Sequence, residues 1–245
     1  MRIEQQHERV LVALDVDSGA RALELARTLR DVVGGFKIGS RLFTLEGPEL
    51  VRTLADTGAH VFLDLKYHDI PNTVAQAVES AVLTGAWMIN VHASGGRPMM
   101  EGARHSAAET AQRNGRQKPL VIAVTVLTSM DHPTLRSVGV DRALDAHVVS
   151  LAQLTKDAGL DGVVASPVET AAIREACGPD FVIVTPGIRG AAAGGEKNDQ
   201  ARTMGPAEAV RAGATFIVVG RPIIGAADPL AAAEGIVEEL RSARL

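Results

Sequence analysis

The chain has 245 residues, 46% of them hydrophobic and 22% charged, which suits a soluble globular protein with a substantial core. Its net charge of −4 comes without a dense Lys/Arg block, so nucleic-acid binding, which needs a clustered basic footprint, is not indicated. The single cysteine, Cys177, excludes an internal disulfide framework and a CxxC metal site, and reads as a small buried or half-buried thiol near a helix end.

The opening "MRIEQQHE" is polar and lacks the apolar centre of a secretory leader. No later apolar run reaches membrane-spanning length, so a cytoplasmic location and no membrane partner are expected. "RVLVALDV" (9–16) then predicts the first strand, and Ser18 opens a helix over "GARALELARTLR". "GFKIG" (35–39) predicts the second strand, followed by Pro48 opening "ELVRTLADTG". "HVFLDLK" (60–66) predicts the third, with Pro71-Asn72-Thr73 opening "VAQAVESAVLTG". "WMINVHA" (87–93), "PLVIAVTVL" (119–127), "GVVASP" (162–167), "FVIVTPG" (181–187) and "TFIVVGRP" (215–222) complete a set of eight, and Pro229 opens the last helix. Helix ends fall at Gly58, Gly85, Gly159 and Gly213, where a left-handed cap suits glycine.

No linker divides the chain, so residues 1–245 read as one domain. A doubly wound open sheet competes, but eight evenly spaced strands in this length favour a single (β/α)8 TIM barrel of the α/β class, with chemistry at the C-terminal strand ends. Segment 188–203, "IRGAAAGGEKNDQART", has no apolar period and reads as a functional loop.

The stretch "VFLDLKYHDIPNTV" starts as a buried strand and then breaks into Asp64, Lys66 and Asp69. Alternation places Phe62, Asp64 and Lys66 on one face and Val61, Leu63 and Leu65 on the other. The charged face then points into the barrel mouth, where Asp15 closes the first strand and Lys37 the second. An ion-pair network plugging the barrel is the bland alternative, yet buried charge clusters stabilise poorly compared with apolar packing. Flanking carboxylates favour a charged Lys66, the opposite of what Schiff-base chemistry needs. An ammonium there also competes with a divalent cation for the oxygens of Asp64 and Asp69. His68 lies in the loop, where a structural hydrogen bond is at least as good a reading as a metal ligand. A lysine kept protonated is suited to stabilising a carbanion and then protonating it. After the eighth strand, Gly220 and Arg221 offer a close backbone N–H and a forked guanidinium to a phosphate, and Arg189 follows the seventh strand with Gln200 further on.

At these residues the chain resembles the orotidine 5'-phosphate decarboxylase family. "FLDLKYHDIPNTV" is similar to that family's signature, and the likeness runs in order from "LDV" (14–16) to "VVGRPI" (218–223). The resemblance implies a homodimeric (β/α)8 barrel without cofactor or metal, acting on orotidine 5'-phosphate. It implies that Lys66 protonates C6 of the pyrimidine, that Asp64 faces the scissile group, and that Asp69 and Thr73 cross into the neighbour's site. It further implies that Asp15 and Lys37 contact ribose, that Thr128 lies at the pyrimidine end, and that Arg189, Gln200, Gly220 and Arg221 grip phosphate with 188–203 as closing loop.

Taken singly, Asp15, Thr73 and Thr128 read as caps of the helices or turns beside them, and Trp87 reads as packing. Two competing functions are a metal-dependent sugar-phosphate lyase or synthase of the same superfamily, and a catalytically silent phosphate-binding barrel. The former would carry an acidic ligand on strand two, where this chain has Lys37.

Overall fold

The computed structural model describes residues 3–188 and 204–243. Eight parallel strands, β1 (Val10–Ala13), β2 (Gly35–Gly39), β3 (Val61–Tyr67), β4 (Met88–His92), β5 (Leu120–Val124), β6 (Gly162–Val164), β7 (Val182–Thr185) and β8 (Phe216–Val219), close into one barrel in sequence order. The circle is sealed where Val10, Leu11 and Val12 pair with Ile217, Val218 and Val219. The expected α/β barrel is therefore the observed one.

The helices are α1 (Gly19–Leu29), α2 (Ser40–Glu46), α3 (Pro48–Asp56), α4 (Pro71–Leu83), α5 (Gly96–Arg113), α6 (His132–Ser137), α7 (Leu144–Asp157), α8 (Thr170–Cys177), α9 (Pro206–Arg211), α10 (Arg221–Ile224) and α11 (Pro229–Ser242). Their starts follow the local chemistry. Ser18 Oγ accepts the Arg21 amide at 3.3 Å, and Pro48, Pro71 and Pro229 sit in first turns, where proline's missing N–H costs nothing. The four glycines expected at helix ends all have positive φ. Helix α2 had no sequence signal because seven residues cannot display an amphipathic period. It is set off from α3 by Gly47 at φ +68°, and its Glu46 accepts the Gly19 amide at 2.6 Å, tying it to the start of α1.

Two apolar layers flank the strands. Leu11, Ala13, Phe62, Met88, Ile122, Val124, Val164, Val184, Phe216 and Val218 fill the barrel interior. The alternate residues, among them Val12, Ile38, Leu63, Ile89, Ile183 and Ile217, pack under the helices. This is the period-two alternation of a strand, with both faces buried because helices cover the outside. Trp87 packs edge-on to Phe216 and stacks on His60, a packing role as expected. Cys177 is buried.

Several strands are shorter than their apolar runs. The run 119–127 contributes Leu120–Val124, and 9–16 contributes Val10–Ala13. The extra residues leave the ladder at the C-terminal rim, where loops take over and the charged side chains gather.

Candidate active site

Four strand ends build the site. Lys37 pairs in register with Ala13 and Phe62, one layer below the rim, while Gly39 pairs with Asp64. A Cβ on Gly39 would lie 3.1 Å from Lys37 Nζ, so the absent side chain gives that ammonium its place. From there Lys37 Nζ lies 3.3 Å from Asp64 Oδ2 and 3.4 Å from Asp15 Oδ1. Lys37 and Asp64 are buried, whereas Asp15 sits exposed at the rim.

Strict alternation does not carry β3 to its end. Between the pairs Leu63–Ile89 and Tyr67–Val91, β3 advances four residues while β4 advances two. Lys66 absorbs the excess in a left-handed conformation, φ +54°, the one non-glycine positive φ among the described residues. Its ammonium bends back onto Asp64 Oδ1 at 2.6 Å. Asp15, Lys37, Asp64 and Lys66 thus form one chain of alternating charge across β1, β2 and β3, the basin expected from sequence.

Asn90, fully buried on β4, was missed. Its Nδ2 donates to Asp64 Oδ1 at 2.7 Å and its Oδ1 accepts the Lys66 amide at 2.8 Å. The available signal was an amide at an interior position of β4, on the face it shares with Met88 and His92. At the end of β4 the rings of His92 and His68 lie 5.4 Å apart, so the loop after Lys66 rests against β4.

Burial pushes the Asp64 carboxyl up. Lys37, Lys66 and the hydrogen bonds from Lys66 and Asn90 outweigh that push and hold it below the usual carboxylate value. The His92 imidazole is held below its ordinary value by burial, then by His68 and Lys66, against the pull of Asp64. Burial pushes the Tyr67 phenol up to about 12, so it stays neutral beside this cluster.

The other expected positions divide. Asp69 is exposed, and its carboxylate accepts the Ile70 amide at 2.6 Å; among the described residues it makes no ion pair with Lys66. Lys66 is therefore flanked by one carboxylate, not two, within a single chain. Thr73 is exposed in the first turn of α4, which has no side-chain cap, and Ser18 caps α1. Asp131 caps α6 by accepting the Thr134 amide at 2.9 Å. The capping readings of Asp15, Thr73 and Thr128 accordingly lapse. Thr128 is half-buried in the turn after β5. Gly220 adjoins the charged rim, since a Cβ there would lie 3.8 Å from Asp15 Oδ2, and Arg221 is exposed at the start of α10. Arg189 and Gln200, with most of segment 188–203, lie outside the described residues; the flanking Ile188 and Met204 are joined by a bridge.

Chemically, the arrangement offers an ammonium with one firm carboxylate partner at the mouth of a barrel, and a glycine-arginine turn after β8, the strand that adjoins β1. Comparison with known proteins follows the same lines. The family model described as "Orotidine 5'-phosphate decarboxylase / HUMPS family" matches residues 8–236. A Syntrophotalea carbinolica protein named orotidine 5'-phosphate decarboxylase is 54% identical over 239 residues, covering 98% of this chain and 97% of the relative. One of the same name from Moorella thermoacetica is 50% identical, covering 95% and 92%. The crystal structure of orotidine 5'-phosphate decarboxylase from Lactobacillus acidophilus superimposes with a TM-score of 0.83 at 37% identity, covering 94% of this chain and 98% of that one.

Proposed function

This chain belongs to the orotidine 5'-phosphate decarboxylase / HUMPS family, and from that premise we propose that it converts orotidine 5'-phosphate to UMP and CO2, the closing step of pyrimidine nucleotide synthesis, with Lys66 as the cationic acid. The observation that carries the reading is the 2.6 Å contact of Lys66 Nζ with a buried carboxylate that Lys37 and Asn90 also hold.

The bond between C6 and the carboxylate carbon breaks, CO2 leaves, and the electron pair stays on C6. The Lys66 ammonium lowers the energy of that charge and then delivers a proton to it. Asp64 keeps the ammonium in place and faces the departing group. Asp15 and Lys37 hold the ribose, and Thr128 takes the pyrimidine edge. Gly220 and Arg221, with Arg189 and Gln200, grip the phosphate while 188–203 closes. Binding energy gathered at the phosphate can thereby be used to order charges at C6, each 1.36 kcal/mol so used being about tenfold in rate. The working unit is a homodimer in which Asp69 and Thr73 enter the neighbour's site. Their exposure, and that of Ile70 at 66%, supports this reading, since an isolated chain leaves them facing solvent. The enzyme works without metal or cofactor in the cytoplasm.

The sugar-phosphate synthase alternative needs an acidic metal ligand on β2, where Lys37 stands. The test is the absorbance change of orotidine 5'-phosphate with and without chelator. Undiminished turnover under chelation is expected, and Lys66→Ala should lose turnover while still binding UMP. Turnover abolished by the chelator would move the protein to the metal-dependent relatives.

A further inference from the structure

We propose that Asn90 is a positioning residue for this reaction, one amide that fixes both the root and the tip of Lys66. The inference rests on the decarboxylase reading above and deepens it.

The orientation of the Asn90 amide follows from chemistry alone. An ionised carboxylate only accepts and a backbone N–H only donates, so Nδ2 must face Asp64 and Oδ1 must face the amide of Lys66. Both hydrogen bonds are short, at 2.7 and 2.8 Å, and Asn90 is fully buried, out of competition with water. Lys66 Nζ donates to the same oxygen, Asp64 Oδ1, that receives Asn90 Nδ2. The contacts therefore close a ring: Asn90 Oδ1 to the Lys66 amide, along the lysine to Nζ, through Asp64 Oδ1 and back to Asn90 Nδ2.

The ring matters because Lys66 is left-handed where the β3–β4 ladder breaks. A residue with a side chain keeps such a backbone only where its surroundings over-determine it. The interrupted ladder would leave the Lys66 amide without a strand partner, and Asn90 Oδ1 takes that role. Releasing it lets φ return to the ordinary regions, which swings the whole lysine away from Asp64. Misplacement of a reacting group by about 1 Å can cost about 10²-fold in rate.

Two substitutions test this. In Asn90→Ala, kcat should fall about 10²-fold while the affinity for UMP changes by no more than about threefold, since Asn90 bonds to Asp64 and Lys66 and to none of the groups assigned to phosphate or ribose, and Lys37 keeps Asp15 as a second partner. A crystal structure of that variant should show Lys66 out of the left-handed region and its contact with Asp64 lost. A kcat within threefold of the parent, a loss of UMP affinity equal to the loss of kcat, or an unmoved Lys66 would each overturn the proposal. The structural readout needs no turnover. A parent protein that fails to decarboxylate orotidine 5'-phosphate would sink the functional reading and still leave the Asn90 ring to be decided by that structure.

Should Asn90→Ala not fold, Asn90→Asp decides. The new carboxyl would face Asp64 and the Lys66 amide of β3; Lys66 Nζ and Lys37 of β2 hold that Asp64, Asp15 just after β1 holds Lys37, and His92, two residues further along β4, lies against His68 of the loop. Two adjoining carboxylates share a proton at low pH, and the protonated aspartic acid then donates and accepts as the amide did. Activity relative to the parent should therefore rise as pH is lowered. A ratio flat with pH would overturn the proposal.

Discussion

A carboxylate as deeply buried as that of Asp64 would ordinarily drift toward its protonated form. Here two ammonium groups and two hydrogen bonds reverse the drift. A folded-state value below the unfolded one means stability that is present above the ordinary carboxylate value of 3.8 and lost as pH falls through the lowered one. Asp64→Asn should therefore cost about 3 kcal/mol at neutral pH, the scale of breaking a buried pair. In urea unfolding followed from neutral to acid, that gap should narrow below about pH 3.8; a constant gap would count against the pairing. At this scale the sequence was legible up to Asp64. The alternation of "VFLD" gives the correct inward face, and Asp15, Lys37, Asp64 and Lys66 do converge. Lys66 reaches the basin by a left-handed turn instead of the next step of alternation, and no residue type at 66 announces that. Asn90 escaped notice because an amide amid an apolar strand has no catalytic look until its partners are known.

Among elements, the junction of α8 with β7 and β8 shows how the barrel's far side is held. Arg174 donates to the carbonyls of Gly178, Pro179, Phe181 and Gly213 and to Thr215 Oγ1, at 2.6–3.2 Å. One guanidinium thus ties the end of a helix to the entrances of two strands, a task for which a planar fork is shaped and an ammonium is not. Arg174→Ala should lower unfolding free energy by about 2–3 kcal/mol, and Arg174→Lys should recover only part of it. Measured denaturation midpoints check both, and kcat of the surviving protein should stay near that of the parent. The elements were the most legible level. β-branched runs, prolines in first turns and glycines at helix ends act within a few residues of one another, so local chemistry determines them. Arg174 lies beyond such reading, because two of its five partners, Gly213 and Thr215, are 39 and 41 residues away and reach it only once β8 stands beside β7.

For the molecule as a whole, the linked charged and amide groups of the inner rim among the described residues, Asp15, Lys37, Asp64, Lys66 and Asn90, lie on or just after β1 to β4, while β5 to β8 turn Ile122, Val124, Val164, Val182, Val184, Phe216 and Val218 inward. If Asp69 serves the neighbouring site, two inactive variants, Lys66→Ala and Asp69→Ala, should complement when dissociated and mixed. Mixed dimers then hold one intact site, so a symmetric pair should regain roughly a quarter of parental activity. No regain would place Asp69 in its own chain's site. The barrel was legible from strand count and spacing, since eight regular units in an undivided chain leave few other closures. Assembly was not, because the exposed face at Ile70 looks the same in one sequence whether it meets water or a twin. The split between the halves has an outcome for how such a protein can change. The proton donor and its partners sit on the first four units, while the loops proposed to grip phosphate follow the last two, so substitutions in those loops should alter affinity while the acid that does the work stays untouched.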